Sequence, residues 1–296
     1  MTARQRQQVL SLLMMCLRWY NAPAEGLEPG MEAMDDPIAP PPGLYYVGYL
    51  VNYRINEFEM PGSSQKLPGD NRSTITAQMN RLLWMTEKKV LGADYGMEAL
   101  VPIINTSVRL GMFNVHAQST GVGDIYLSPM ILGWHGPRWD ALIGTGMWLD
   151  NGRSGQLAAP GSGYKRLDLS AGLNAYLDEQ KSISTSALVR FERNGKDNAG
   201  FRNGNQLFLD WSANKRFGPV QVGVTGYSQW QISDDSGFGA STNHLTRHAI
   251  GGQISYIFLE SKMLIKAAAY KEVHVDAGTT FQPKGNMFKL TLAKAF

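Results

Sequence analysis

The chain has 296 residues, with 28 Lys and Arg against 25 Asp and Glu, which gives a formal net charge of +3. So small an excess, with no run of basic residues, excludes the electrostatic pattern of a nucleic-acid-binding protein, so no nucleic-acid partner is expected. Charged residues make up only 18% of the chain, aromatic residues make up 10%, and there are 32 glycines. This composition is typical of many short strands joined by tight turns.

The N-terminus has the three parts of an export signal. Arg4 and Arg6 precede a short apolar stretch at 9–17 (VLSLLMMCL), and 22–24 (APA) fits the small-x-small cleavage pattern. We therefore expect residues 1–24 to be a cleaved signal peptide. Arg18 and Asn21 interrupt the pattern, so an amphipathic first helix remains the alternative.

Cysteine usage agrees with export. The single cysteine, Cys16, lies inside the expected signal, so the mature chain would have neither a disulfide nor a cysteine-based metal site. Met15 precedes it where a lipid-attachment motif requires a small residue, which disfavours a lipoprotein.

Residues 25–43 are rich in Pro and Gly and contain PIAPPPG at 37–43. We expect a periplasmic or luminal N-terminal segment here rather than a strand. From residue 44 to residue 296 the hydropathy alternates with a period of two. Leu167, Leu169, Leu173 and Leu177 alternate with polar or small residues, which is the pattern of a half-buried strand.

Twelve such segments can be counted. They lie near 44–57, 72–85, 92–106, 122–134, 138–149, 166–177, 183–193, 206–216, 219–231, 247–258, 262–272 and 286–296. Long polar connections are expected near 58–71, 107–121, 150–165, 194–205, 232–246 and 273–285, and they alternate with short turns. Such alternation is typical of outer-membrane barrels, which have short periplasmic turns and long extracellular loops.

No later segment has the roughly 20 apolar residues of a spanning helix. A chain that enters a membrane as strands must close its sheet, because lipid offers no partners to open edges. We therefore predict an all-β fold: a transmembrane antiparallel up-and-down barrel of about 12 strands, in outer-membrane lipid of a Gram-negative bacterium. An even strand number would place both termini in the periplasm. The final strand alternates Phe288, Leu290 and Leu292 and ends on Phe296, which resembles the signal that the barrel-assembly machinery reads.

Three stretches resemble a known family. They are residues 121–135 (GVGDIYLSPMILGWH), 41–46 (PPGLYY) and 90–105 (VLGADYGMEALVPIIN). The first resembles a hallmark of the "meta-pathway of phenol degradation" family of outer-membrane channels, and the resemblance spans most of the mature chain. It implies a twelve-stranded barrel associated with uptake of small, largely hydrophobic or aromatic compounds. No substrate-contacting residue of the family can be matched here.

Alternation also predicts which side chains line the pore. If leucines face lipid, the inward set contains aromatic and Met side chains beside charges of both signs. The pore-lining candidates are Tyr126, Met130, Trp134, Asp168, Asn174, Tyr176, Arg190, Glu192, Asp210, Tyr227, Lys266 and Lys289. The alternative is that charges such as Asp168 and Arg190 pair merely to fill the interior.

Enzymatic, cofactor and metal sites have weak support. There is no GxSxG motif, and Gly121-x-Gly123 lacks the rest of a dinucleotide fingerprint. Glu272, His274 and Asp276 alternate and could share one strand face as metal ligands, although solvated loop side chains are the simpler interpretation. We expect a passive channel without cofactors for small hydrophobic or aromatic solutes. A barrel enzyme that hydrolyses lipid, or a structural or adhesive barrel, remains the alternative.

Overall fold

A computed structural model describes residues 37–296 as a closed antiparallel barrel. Its strands are β1 (Gly43–Glu59), β2 (Asn71–Val90), β3 (Ala93–Leu110), β4 (Val115–Val122), β5 (Tyr126–His135), β6 (Trp139–Trp148), β7 (Arg166–Tyr176), β8 (Ile183–Asn194), β9 (Gln206–Phe217), β10 (Val220–Gln231), β11 (Thr246–Phe258), β12 (Met263–Asp276) and β13 (Gln282–Ala295). The expected signal peptide, residues 1–24, and most of the segment 25–43 lie outside the described residues.

Neighbouring strands pair in chain order, and the first and last strands close the barrel. β1 pairs with both β2 and β13 in antiparallel register. The Phe296 N–H donates to the Leu44 carbonyl at 3.0 Å at the end of this seam. A closed sheet leaves no long unpaired edge in lipid, so the fold confirms the predicted transmembrane barrel class.

β4 and β5 together occupy the fourth wall position, so the thirteen strands form a twelve-stranded barrel. β4 pairs with residues 103–110 of β3, and β5 pairs with residues 94–100 of the same strand. The predicted single strand at 122–134 is therefore wrong at its start. The predicted long loop at 107–121 is also wrong, because the chain turns tightly at Gly111–Phe113 and Asn114 adopts a left-handed φ of 51°.

Connections at one end of the barrel are short and several at the other end are long. β2 continues to Val90 and turns through Leu91 and Gly92, which have φ of 50° and 76°. Two positive φ values suit a tight hairpin, so β2 extends beyond the predicted strand end near residue 85. The opposite end carries the long connections 60–70, 149–165, 195–205 and 232–245. We call these two ends the short-turn end and the long-loop end.

The outward face is a belt of exposed apolar side chains. It includes Leu82, Trp84, Leu167, Leu169, Leu173, Ile250, Ile254, Phe288 and Leu290. Such a belt on a closed sheet is the surface that lipid covers. Among residues 37–296, no helix has the length and apolar character needed to cross a membrane.

Candidate functional site: the barrel lumen

One side of the lumen is apolar. The inward side chains of β1–β3 form a buried cluster of Tyr49, Val51, Tyr53, Ile55, Ile75, Ala77, Met79, Leu100, Ile104 and Val108. Val51, Ala77 and Ile104 lie side by side across the three strands. Here the hydropathy pattern is inverted, because polar Asn52 and Arg54 of β1 point outward. The lumen therefore offers solutes an aromatic and aliphatic wall.

The lumen also carries buried charges, most of them on β7–β9 opposite the apolar side. Arg166, Asp168, Arg190, Glu192 and Asp210 on these strands, and Lys266 and Lys289 on β12 and β13, are each at most 4% exposed. Arg190 Nη2 lies 3.6 Å from Asp210 Oδ2, and Arg166 Nη1 lies 3.5 Å from Glu192 Oε2. Pairing of opposite charges lowers the cost of burying them, so these residues at least stabilise the wall.

A small cavity lies between the two sides. Its volume is about 40 Å³, and its lining includes Tyr49, Met79, Tyr126, Trp148 and Arg190. The Tyr126 and Trp148 rings have centroids 5.0 Å apart. The cavity is small compared with the roughly 150 Å³ of a site that holds benzene. This cavity is therefore too small to hold an aromatic ring as it stands.

The connection between β6 and β7, residues 149–165, folds into the barrel, and we call it the inward loop. Ala158 is 1% exposed and belongs to the same buried cluster as Trp148. The Pro160 ring approaches Gly121, at the end of β4, where a Cβ would lie 3.1 Å from it. The loop thus obstructs the lumen from the long-loop end.

Asp124, in the break between β4 and β5, holds the inward loop. Its Oδ2 accepts hydrogen bonds from the Ser162 N–H at 2.8 Å and the Ser162 hydroxyl at 2.5 Å. Its Oδ1 accepts one from the Gly152 N–H at 2.9 Å. Hydrogen bonds to a carboxylate are stronger than those between neutral groups, so Asp124 is the main polar anchor of the loop.

The first described residues also lie in the lumen, toward the short-turn end. Ala39 is 3% exposed and packs with Leu83, Met85 and Ile131. A Cβ added to Gly133 would lie 2.2 Å from the Ala39 Cβ, so this glycine makes room for the segment. Residues 37–39 thus pack inside the barrel, while the location of the segment 25–43 as a whole stays a prediction.

A buried network joins five strands near the long-loop end. Glu272 Oε1 accepts hydrogen bonds from Arg247 Nη1 at 2.7 Å and from the Tyr227 hydroxyl at 3.0 Å. Glu272 Oε2 accepts hydrogen bonds from the Tyr53 hydroxyl at 2.6 Å and the Gly285 N–H at 2.7 Å. Each oxygen of this fully buried carboxylate is satisfied, which is the condition for a buried charge to be tolerated.

Ten of the twelve predicted pore-lining candidates point into the barrel. These are Tyr126, Asp168, Asn174, Tyr176, Arg190, Glu192, Asp210, Tyr227, Lys266 and Lys289. Their inward direction follows from burial and from their register with buried neighbours, for example Tyr176 beside Ser184. That they line a path for solutes stays a prediction.

The inward direction predicted for Met130 and Trp134 is wrong. Met130 pairs with Thr145, which in turn pairs with Leu169, an outward residue that is 56% exposed. Trp134 reaches the outward Leu173 in the same way through Ala141. The cause is an irregularity between Leu127 and Met130 that shifts the register and exchanges the two faces.

Sequence reasoning missed the apolar side of the lumen. Tyr49, Met79 and Leu100 face inward beside the Arg81–Glu98 ion pair, whose Nη2 and Oε2 atoms lie 2.5 Å apart. The assumption that apolar residues face lipid predicts the wrong inward face for β1–β3. Polar residues at alternate positions 72, 74, 76, 78 and 80 of β2 were the available signal for the inverted pattern.

An irregularity of the same kind separates the candidate metal ligands Glu272 and His274. Glu272 lies in the buried network, whereas His274 pairs with His248 on the outward face. Among residues 37–296, no group of three His, Cys, Asp or Glu side chains is arranged to hold a metal ion. His248 Nδ1 lies 2.8 Å from the Ser228 hydroxyl, but the neighbouring His274 ring is stacked beside His248, with the ring centroids 5.9 Å apart.

Known structures share the fold. A crystal structure of an outer membrane channel from Pseudomonas putida F1 superposes with a TM-score of 0.76 at 14% identity, over 89% of this chain and 99% of that chain. The beta domain of the Bordetella autotransporter BrkA matches with a TM-score of 0.50 at 11% identity, over 86% of this chain and 100% of that chain. The fold is thus that of outer-membrane barrels. No curated protein sequence matches the chain significantly.

A family model agrees with the stretches noted in the sequence. The model described as "Putative MetA-pathway of phenol degradation" matches residues 59–290, which is most of the barrel. The match includes residues 90–105 and 121–135, where Asp124 and the break between β4 and β5 lie. The chain belongs to this family.

Proposed function

We propose that the protein is a passive outer-membrane channel for uptake of small, mainly hydrophobic or aromatic compounds. The observation that carries the proposal is the apolar wall of Tyr49, Met79 and Leu100, which continues to Tyr126 and Trp148 around the cavity. An aqueous porin would instead have a uniformly polar wall and a wider barrel of 16–18 strands. Membership of a family named for phenol degradation supports the choice of aromatic solutes.

The proposal includes an orientation. The long-loop end faces outward from the cell and the short-turn end, with both termini, faces the periplasm, because outer-membrane barrels have long extracellular loops. Removal of residues 1–24 as a signal peptide and recognition of Phe296 by the assembly machinery belong to the same proposal. A cysteine at Phe238, which is 76% exposed in the long connection 232–245, would react with a membrane-impermeant reagent on whole cells.

Flux into liposomes tests the channel. Refolded mature protein is reconstituted, and entry of a small aromatic acid or phenol is compared with entry of a sugar of similar size. We expect the aromatic solute to enter faster than the sugar and faster than in protein-free liposomes. Equal rates for both solutes would contradict selectivity, and no flux from a correctly folded barrel would contradict the channel.

The aromatic wall defines a matched pair of variants. Trp148→Phe keeps an aromatic ring beside Tyr126, whereas Trp148→Ala removes it and enlarges the cavity. If the aromatic wall carries solutes, Trp148→Phe should retain the preference for the aromatic solute. Trp148→Ala should raise the flux of both solutes and weaken the preference.

A further inference from the structure

A basic row crosses the outward face of the barrel near the long-loop end. Arg54 of β1 pairs with Asn286 of β13, and Asn286 pairs with Lys271 of β12. All three side chains are exposed. Two ladder steps of about 4.8 Å place the Arg54 and Lys271 backbones roughly 10 Å apart, with an amide between them.

Both cations are available to an external partner. Arg54 Nε donates to Asn52 Oδ1 at 3.1 Å, which orients the guanidinium without neutralising it. Within residues 37–296, no Asp or Glu forms an ion pair with Arg54 or with Lys271. A positive row without carboxylates on a surface that faces lipid calls for an anion from outside the chain.

The row lies where the apolar belt ends. Outward positions of β1 run from Leu44 to Arg54, and those of the last strand run from Phe296 back to Asn286. Each run is about ten residues, the length that a tilted strand needs to cross the hydrocarbon layer. Asn52 and Phe288 form the next outward level, and Phe288 is 49% exposed; Leu50, one level further along β1, is 47% exposed. The two cations are therefore at the height of lipid headgroups.

A groove connects the row to the apolar belt. Asn52, Arg54, Ile250, Lys271, Asn286 and Phe288 line it, and Gly251 and Ala269 form part of its floor. At the neighbouring outward position of β11, a Cβ added to Gly252 would contact only the Gly223 carbonyl oxygen at 3.8 Å, so the small residue leaves open space. An acyl chain fits along Ile250 and Phe288 while its headgroup meets the cations.

We infer that this surface is a binding site for a phosphorylated lipid of the membrane leaflet at the long-loop end. The Arg54 guanidinium and the Lys271 ammonium bind phosphate oxygens, the Asn52 and Asn286 amides add hydrogen bonds, and Phe288 and Ile250 contact the acyl chains. The two cations lie a few ångströms farther apart than the oxygens of one phosphate group. This spacing favours a glycolipid headgroup with two phosphates over a phospholipid with one. With the proposed orientation, this lipid is the phosphorylated glycolipid of the outer leaflet.

Native mass spectrometry of the refolded barrel in detergent tests the site. The probe is hexa-acylated, bis-phosphorylated lipid A, compared with its monophosphorylated form and with phosphatidylcholine. Each surface cation contributes about fivefold to the affinity for an anionic lipid, so Arg54→Gln with Lys271→Gln should weaken lipid A binding roughly 25-fold. The double variant Lys88→Gln with Lys262→Gln removes two exposed cations at the short-turn end and should bind like the parent.

Several outcomes overturn the inference. Equal binding by the Arg54/Lys271 variant and the parent would contradict the site, and equal binding of phosphatidylcholine would remove the role of charge. If inorganic phosphate at millimolar concentration displaced lipid A completely, the surface would be a simple anion site. A heat-dependent gel shift verifies that each variant folds. Liposome flux by the Arg54/Lys271 variant should equal that of the parent. Flux and lipid binding therefore test the channel proposal and the lipid site separately.

Discussion

The Asp124 carboxylate accepts both the backbone N–H and the hydroxyl of Ser162, and so fastens the inward loop to the break in the fourth wall position. The contact spans 38 residues of sequence and joins a polar wall position to the last part of a long connection. Together with the hydrogen bond from the Gly152 N–H, it gives the acid of the GVGD stretch at 121–124 a structural role.

Asp124→Ala should open the lumen. Charge-assisted hydrogen bonds contribute about 1.5–3 kcal/mol each, so the loss of three shifts the inward loop strongly toward undocked states. We expect a higher single-channel conductance in planar bilayers and faster solute flux. Asp150→Ala, an exposed acid in the same loop, is the matched control and should behave like the parent. An unchanged conductance for Asp124→Ala would show that the loop is held by its apolar contacts.

A spin label at position 130 should be in contact with lipid rather than water. A nitroxide attached at Met130→Cys should collide frequently with oxygen and rarely with a water-soluble nickel complex, as measured by power-saturation electron paramagnetic resonance. Leu169→Cys, in the same outward row, should give the same profile. Ser170 pairs with the buried Arg190 and points inward, so a nitroxide at Ser170→Cys should show low accessibility to oxygen. A water-like profile at Met130 would contradict the register assigned at the bulge.

Glu272→Ala should destabilise the barrel. The change leaves the Arg247 guanidinium buried without its counter-ion and frees the Tyr53 and Tyr227 hydroxyls, which costs about 3–5 kcal/mol for a buried pair. We expect a lower urea midpoint in refolding titrations followed by tryptophan fluorescence. Glu57→Ala breaks the exposed Lys66–Glu57 pair and should cost less than about 1 kcal/mol. A similar loss for both variants would argue against a special role for the buried network.

Ser228→Ala tests the hydrolase alternative. If the outward Ser228–His248 pair were a nucleophile and its base, the substitution would abolish phospholipid hydrolysis while folding survived. We expect no hydrolysis above background for either protein, because the His274 ring stacks beside His248 where a triad would place a hydrogen-bonded acid. Measurable turnover by the parent that disappears in Ser228→Ala would contradict the channel as the sole function.

Strand periodicity predicted the class and strand number of the fold but not its irregularities. The alternation from Leu167 to Leu177 gave β7 nearly to the residue, since its outward face is lipid and its inward face is polar. The register change near Met130 could not be predicted from the sequence. Ser128 and Pro129 are compatible with either face of the sheet, and only the pairing with β6 decides between them. The inverted face of β1–β3 was missed for a different reason, namely that an interior apolar wall and a lipid-facing one use the same residue types.

The charged half of the lumen was predictable because few alternatives exist for Asp168, Arg190 or Lys289 in a membrane barrel. A charge facing lipid is costly, so alternation with leucine determines its direction. Which partners these charges take was not predictable, since Arg190 pairs with Asp210 and Arg166 with Glu192 through diagonal contacts that depend on register. The inward loop was equally hidden, because its burial depends on Asp124 meeting Ser162 across the barrel wall.

The position of Ala39 has a consequence for assembly order. Residues 37–42 run from the interior directly into β1, and β1 forms the closing seam with β13, where Phe296 bonds to Leu44. Closure of this seam therefore requires residues 37–42 to lie inside the barrel. We expect the barrel wall to close around residues 37–42. A bulky residue in place of Gly133 would then clash with Ala39 and slow closure of the barrel.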